Sequence, residues 1–147
     1  FLPLGGASDA EISTAVIRKC RTAAVLLPEA PLARAANIIR SAQVVIGMRL
    51  HALILAARQG VPFLAIPYDP KVTSFCSDLG YPLAPLFAAE GPATKPAPEL
   101  IDAAVDELCA RREELHGYLL TAREPLERLA ARNFEVLDEL IAQGAPQ

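Results

Sequence analysis

The chain has 147 residues, of which 52% are hydrophobic and 21% are charged, and this composition is typical of a single globular domain. Its formal net charge is -3, from 17 acidic and 14 basic residues, and no run of Lys or Arg exceeds two residues. These values argue against a disordered chain and against a strongly basic surface for nucleic acid.

The first two thirds of the chain alternate short apolar runs with amphipathic stretches. This alternation is typical of βαβ units, in which helices connect the strands of a parallel sheet. Strands are predicted at about residues 1–4, 23–27, 44–46 and 62–66. We therefore predict an α/β fold, with a Rossmann-like parallel sheet flanked by helices.

Two amphipathic helices are predicted between the first three strands. The first begins at a cap on Ser8 or Asp9 and runs to about residue 21, and the second begins near Pro31. The residues expected on their buried sides are Ile12, Val16 and Ile17 in the first helix, and Leu32, Ala35, Ile38 and Ile39 in the second.

A third helix is predicted to follow the strand at 44–46. Gly47 turns the chain into this helix, which ends near Gln59 and Gly60 and is apolar almost all round. It is therefore expected to be buried. A shorter helix is predicted from Lys71 to about residue 79, closed by Gly80.

The last third of the chain is predicted to be helical after a Pro-rich loop. Five prolines lie between residues 82 and 98, and helical spacing of apolar residues begins at residue 99. Pro125 should break or kink this run, giving two helices. The prediction is one domain over residues 1–147, with an α/β core to about residue 85, a loop at 86–98 and helices at 99–147.

Cysteine spacing and hydropathy indicate the cellular setting. The three cysteines are widely spaced, without a CxxC pair, and only two histidines accompany them, so reduced thiols and no metal site are expected. No apolar stretch approaches the roughly 20 residues that span a bilayer. The chain begins with Phe1 inside an apolar run and without Met, which predicts that a preceding domain has been removed.

The segment from Gly47 to His51 carries the chemistry. Ligands of doubly wound folds lie beyond the carboxyl ends of parallel strands, where helix N-termini offer free N–H groups. Arg49 provides a planar fork of donors for a carboxylate or phosphate, and His51 can donate a proton near neutral pH. Both can face one ligand only if the helix begins at about Leu50 or His51.

A plainer interpretation of the same residues stays open at this point. Arg49 can pair with a neighbouring carboxylate, and His51 can do no more than start a buried helix. The residues alone favour neither interpretation, because short motifs of this kind also occur by chance.

Residues 41–80 read SAQVVIGMRLHALILAARQGVPFLAIPYDPKVTSFCSDLG. They closely resemble the signature of bacterial polysaccharide pyruvyl transferases, in the CsaB-like branch that modifies secondary cell-wall polymers. The match is densest in VIGMRLH, GVP and YDPKV. FLPL followed by Asp9 and a helix is similar to the opening of the family's second domain. The resemblance implies the C-terminal, donor-binding half of a GT-B-like two-domain fold, with the N-terminal partner domain absent.

The resemblance also implies a reaction. Phosphoenolpyruvate is the implied donor, and the acceptor is a polysaccharide or lipid-linked glycan whose sugar hydroxyls receive a pyruvate ketal, without a cofactor or metal. The implied location is cytoplasmic, either free or peripheral at the inner face of the plasma membrane. No nucleic acid partner and no membrane span are expected.

The same resemblance assigns the site residues. Arg49 and His51 match the family's Arg-x-His donor site and are the expected catalytic residues, with Arg49 holding an anionic group and His51 acting as a general acid. Lys71 is a weaker candidate for the second anionic group. The expected substrate-binding residues are Gly47, Met48, Arg49, Leu50, His51 and Lys71.

Two other functions remain to be distinguished. A GT-B glycosyltransferase or epimerase domain would use the same strand end for a nucleotide sugar, although the segment has no Gly-rich diphosphate loop. A non-catalytic binding or assembly module would bind no small anion at Arg49 and His51, while its C-terminal helices would still associate with another chain.

Overall fold

The computed structural model describes residues 1–87 and 97–144, and within them the chain forms six helices and two strands. Most of the predicted loop at 86–98 therefore lies outside the described residues. The elements in chain order are α1 (Ala7–Ile17), α2 (Leu32–Arg40), β1 (Val45–Gly47), α3 (Leu50–Arg58), β2 (Phe63–Ala65), α4 (Pro70–Asp78), α5 (Pro98–Ala110) and α6 (Arg112–Gly144).

β1 and β2 form a parallel pair in which Val45 lies opposite Phe63 and Gly47 opposite Ala65. α3 connects them, so the three elements make one βαβ unit. Every residue of β2 is buried, as expected for a parallel strand covered on both faces. The mixed α/β class and these two predicted strands are confirmed.

The other two predicted strands are not strands in the structure. Residues 1–4 and 23–27 make two hydrogen bonds to each other: the amino group of Phe1 donates to the Val25 carbonyl at 2.7 Å, and the Leu27 N–H donates to the Phe1 carbonyl at 2.9 Å. This is a single rung of parallel pairing. Apolar runs favour extended backbone, but a strand forms only where successive residues find partners.

The prediction of the buried face of α1 was wrong. The helix begins after Gly6 and ends at Ile17, and neither Ser8 nor Asp9 caps it. Ile12 and Val16 are exposed, because none of the described elements covers that face. In α2 the predicted stripe is partly confirmed, since Ala35 and Ile39 are buried and Leu32 is exposed.

The core is built around α3, which packs against both strands and against α2, α4 and α6. Next to it, the rings of Phe63 and Tyr81 stack with centroids 4.1 Å apart. The Tyr81 hydroxyl accepts the Phe63 N–H at 2.9 Å, and burial raises the pKa of Tyr81 to about 12. The buried N–H at the start of β2 is therefore satisfied by a side chain that stays neutral.

The C-terminal helices separate at Arg111, and α6 continues through Pro125. The predicted break at Pro125 was therefore wrong. The exposed Pro125 deprives α6 of one backbone hydrogen bond, which the rest of the helix tolerates. At the actual break, the Arg111 guanidinium donates to Glu107 and to Glu114, each at 2.7 Å, and so ties α5 to α6.

α6 docks on the ends of two core helices. Nδ1 of His116 lies 2.6 Å from the Gly60 carbonyl after α3, and the Tyr118 hydroxyl donates to the Leu79 carbonyl after α4 at 2.8 Å. Gly60 and Gly80 have φ of 69° and 61°, the left-handed conformation that commonly ends a helix.

None of the described helices is both long and apolar enough to cross a membrane.

The cysteines differ in burial, and this difference predicts their reactivity. Cys76 is buried and Cys20 and Cys109 are exposed, and burial raises the pKa of Cys76 to about 11. Because the thiolate is the reactive form, we expect a thiol reagent at about pH 8 to label Cys20 and Cys109 quickly and Cys76 only after unfolding. Mass spectrometry of the labelled peptides measures this. Labelling of Cys76 at the rate of Cys20 would contradict the described core.

Candidate functional site

The site begins where β1 ends. β1 stops at Gly47 and α3 starts at Leu50, so Met48 and Arg49 form the connection between them. Arg49 is the residue before the first helical turn and has extended backbone, with φ -80° and ψ 125°. Since α3 starts at Leu50, the condition under which Arg49 and His51 can face one ligand is met.

Gly47 is part of the buried sheet and is not exposed at the sheet edge. It is buried, and its carbonyl accepts the Ile66 N–H at 2.8 Å. A Cβ atom at Gly47 would lie 3.1 Å from the side chain of Leu53, in the first turns of α3. Gly47 therefore allows α3 to pack closely against the end of β1, which brings Arg49 and His51 to the sheet edge.

The first turn of α3 offers free hydrogen-bond donors. The N–H groups of Ala52 and Leu53 donate to the Arg49 carbonyl at 2.9 and 3.3 Å, and no side chain caps the helix. The N–H groups of Leu50 and His51 precede these and have no acceptor within the helix. With the helix dipole, they make this end of α3 favourable for an anion.

The Arg49 side chain is paired with Asp9, in the first turn of α1. Nε donates to Oδ2 at 3.1 Å and Nη2 donates to Oδ1, so the carboxylate is held at two points. The hydrogen bond from Arg49 lowers the pKa of Asp9, helped by the backbone N–H groups of Leu4 and Gly5. The same bond raises the pKa of Arg49, with a smaller contribution from Tyr68.

This pairing is the carboxylate contact that the plainer interpretation of the sequence required. It does not use all of the Arg49 donors, because Nη1 and the second N–H of Nη2 point away from Asp9. The Arg49 side chain is 39% exposed and that of Asp9 is 17% exposed. Two of the guanidinium nitrogens thus hold Asp9, while the side chain as a whole stays more than a third exposed.

Gly5 makes room for the pair. A Cβ atom at Gly5 would lie 2.7 Å from Cζ of Arg49 and 2.7 Å from Oδ2 of Asp9, closer than atoms pack. Sequence reasoning treated Asp9 as a possible helix cap and missed its contact with Arg49, 40 residues away. The neighbouring Gly5 and Gly6 were the only local signal that the backbone here is approached closely.

Lys71 lies at the start of α4, which follows β2 as α3 follows β1. Because β1 and β2 are parallel neighbours, both helix starts lie at the same edge of the sheet. Asp69 caps α4 by accepting the Lys71 N–H at 3.0 Å, and Nζ of Lys71 lies 3.2 Å from Oδ2 of Asp69. The Lys71 ammonium is also 5.8 Å from the centre of the Tyr68 ring.

The sheet edge therefore carries two cations that are each paired with an aspartate. Hydrogen bonding to Lys71 lowers the pKa of Asp69, and the bond to Asp69 raises the pKa of Lys71. Tyr68 also contributes to the raised pKa of Lys71 and of Arg49. The structure thus brings Tyr68 and Lys71 together, at the sheet edge where Arg49 also lies.

His51 is the second residue of α3 and its side chain is exposed. Within residues 1–87 and 97–144 its imidazole makes no hydrogen bond, so the ring is accessible to a ligand. Met48 is likewise exposed, whereas Leu50 is half-buried. In the same part of the chain, no group of three His, Cys, Asp or Glu side chains could hold a metal ion.

Two concave regions lie away from this edge. A polar cavity of about 250 Å³ is lined by Gln43, Gly60 and His116, at the end of the sheet where the strands begin. An apolar groove of about 720 Å³ lies between α3, α4 and α6, beside Ile54 and Phe134. Arg49, His51 and Lys71 line neither of them, and their exposure makes the candidate site an open edge of the fold.

Comparison with known proteins bears on the same segment. The family model for polysaccharide pyruvyl transferase matches residues 1–70. This part contains Asp9, both strands and the whole segment from Gly47 to His51, and it ends immediately before Lys71. No curated protein and no solved structure matches the chain.

Proposed function

We propose that the chain is a polysaccharide pyruvyl transferase, as the family match over residues 1–70 supports, and that it supplies the donor site for pyruvyl transfer from phosphoenolpyruvate to sugar hydroxyls. The product is a pyruvate ketal on a cell-surface polysaccharide or a lipid-linked glycan. The observation that carries the proposal is the position of Arg49 and His51 at the first turn of α3, inside the matched segment.

The proposed donor is a small dianion or trianion with a carboxylate and a phosphate. The free N–H groups of Leu50 and His51 suit one of these groups, and the outer edge of the Arg49 guanidinium suits the same group or its neighbour. Lys71 is the candidate for the other group. Since Asp9 and Asp69 already neutralise both cations, much of the attraction for the donor would come from the helix N-terminus and from His51.

The proposed role of His51 is that of a general acid. It protonates the methylene carbon of phosphoenolpyruvate, or it assists the departure of phosphate. Addition of one sugar hydroxyl to the cationic carbon, loss of phosphate and addition of a second hydroxyl form the ketal. Of the two protons that the hydroxyls release, one returns to His51 and replaces the proton given to the methylene carbon, and the other leaves with phosphate. The scheme requires no metal.

The acceptor is proposed to bind against a second domain. Arg49, His51 and Lys71 lie on an exposed edge, and a reaction that must exclude water needs a surface to cover it. An N-terminal domain facing this edge, as in a GT-B-like enzyme of the CsaB-like branch, would provide that surface and the base for the acceptor. The proposed location is cytoplasmic, either free or at the inner face of the plasma membrane.

This arrangement predicts that the 147-residue chain alone folds but does not transfer pyruvate. The complete protein, given phosphoenolpyruvate and a suitable glycan acceptor, is expected to add one pyruvyl group per modified sugar. Mass spectrometry of the acceptor after incubation with each protein measures the difference. Pyruvylated acceptor from the 147-residue chain alone would contradict the need for a second domain.

A further inference from the structure

We propose that Asp9 is a positioning residue, which orients the Arg49 guanidinium so that its outer edge faces the donor. The inference rests on the proposed function, because it gives Arg49 a ligand to face. Its basis is the two-point contact, in which Asp9 accepts from Nε and Nη2 and leaves the other N–H donors of Arg49, a side chain 39% exposed, for another partner. An end-on contact through one nitrogen would let the guanidinium swivel, whereas the two-point contact fixes its plane.

The Asp9 carboxylate is also stabilised by groups other than Arg49. The backbone of Leu4 and Gly5 helps to lower its pKa, and it lies in the first turn of α1, where the helix dipole favours a negative charge. Its side chain is 17% exposed, less than half the exposure of Arg49. Asp9 is therefore the shorter and more buried partner, against which the longer arginine side chain is set.

The backbone around Asp9 is shaped for this contact. Gly5 lies against the guanidinium where any Cβ atom would overlap it, and Gly6 has φ 76°, a conformation that favours glycine. Gly5 and Asp9 thus accommodate a side chain from the connection between β1 and α3, 40 residues away. An ion pair on an open surface needs no such fit.

A double-mutant cycle on phosphoenolpyruvate affinity tests the inference in the complete protein. Asp9→Asn keeps the shape of the side chain but places an NH2 group where the guanidinium needs an acceptor. We expect it to weaken phosphoenolpyruvate binding about 10- to 100-fold, since misplacement of a binding group by about 1 Å has effects of this order. In an Arg49→Ala background, Asp9→Asn is expected to cause no further loss.

The matched control is Glu11→Gln, which makes the same change of charge on an exposed residue of the same helix. It is expected to leave donor affinity unchanged. Thermal stability is not the deciding measurement, because Asp9→Asn and Arg49→Ala break the same ion pair and should both lower Tm. The coupling between the two residues in donor affinity is what a purely structural role would not produce.

The outcomes separate this inference from the proposed function. If Arg49→Ala weakens donor binding and Asp9→Asn does not, or if Asp9→Asn weakens it equally in the Arg49→Ala background, the positioning role is overturned and the donor site stands. Wild-type affinity in Arg49→Ala would overturn the donor site as well. Should Asp9→Asn fail to fold, Asp9→Glu keeps the charge but shifts it by one methylene, and wild-type affinity in that variant would overturn the inference.

Discussion

Replacing His51 by glutamine is expected to lower turnover of the complete protein by about 10²- to 10⁴-fold, the usual contribution of a general acid. The imidazole is exposed, and it makes no hydrogen bond to any residue in the described ranges. Its replacement should therefore leave the fold intact and remove only the proton donor. Steady-state kinetics with phosphoenolpyruvate as the varied substrate, together with a melting curve, measure the two effects separately.

The other histidine of the chain is the control. His116 contacts the Gly60 carbonyl at the opposite end of the sheet, where α6 docks on α3. His116→Gln is expected to lower Tm and to leave turnover of the folded enzyme unchanged. Unchanged turnover in His51→Gln would show that His51 is not the general acid and only begins α3, as in the plainer interpretation.

Replacing Arg49 by lysine is expected to weaken phosphoenolpyruvate binding by about 10- to 150-fold, the range for loss of one hydrogen bond to a charged group. A guanidinium can hold Asp9 on its inner edge and still offer donors on its outer edge, whereas an ammonium is a single mobile point of charge. Arg49→Ala should cost at least as much affinity. Isothermal titration of the complete protein with phosphoenolpyruvate measures both variants.

Because Arg49 is paired with Asp9, a lower melting temperature of an Arg49 variant does not show whether Arg49 binds the donor. Both variants lose the two-point contact and should melt at lower temperature, whether or not Arg49 binds the donor. Because Arg49 lowers the pKa of Asp9, the pair stabilises the fold above the usual carboxyl pKa, and this contribution is lost as the pH falls through the lowered value. Lower stability combined with unchanged donor affinity would make Arg49 only a structural partner of Asp9.

The βαβ unit that carries the site could be predicted from the sequence because its signals are local. Apolar runs at 44–46 and 62–66 mark the strands, and the glycines at 47 and 60 mark the start and end of the helix between them. A start at about Leu50 or His51 was the condition for Arg49 and His51 to face one ligand, and α3 starts at Leu50. Since helix N-termini at strand ends favour anions, the location of a candidate site could be predicted together with the fold.

The partners of the site residues could not be predicted in the same way. Asp9 and Arg49 meet only after the chain folds, 40 residues apart, and the neighbouring Gly5 and Gly6 indicate a close approach without indicating which residue makes it. The strand prediction at 23–27 failed for a related reason. Residue type favours extended backbone there, but ladder pairing depends on what lies beside the segment, and only one rung forms.

The helix break was also set by tertiary contacts. Pro125 is the stronger local signal, but it lies where α6 is exposed, whereas Arg111 bridges Glu107 and Glu114 between the buried Leu108 and Leu115. The break therefore lies between two leucines that pack in the core. Local propensity is a weak guide when tertiary packing favours another position.

Direct titration of the complete protein with phosphoenolpyruvate, and in parallel with nucleotide sugars, tests the donor-site proposal most directly. Wild-type protein is expected to bind phosphoenolpyruvate, and Arg49→Ala is expected to bind it at least about 10-fold more weakly. The affinity for nucleotide sugars is expected to be the same in both proteins. Arg49-dependent binding of a nucleotide sugar would instead support a GT-B glycosyltransferase or epimerase. Phosphoenolpyruvate affinity that is the same in wild type and Arg49→Ala would contradict a donor site at the first turn of α3.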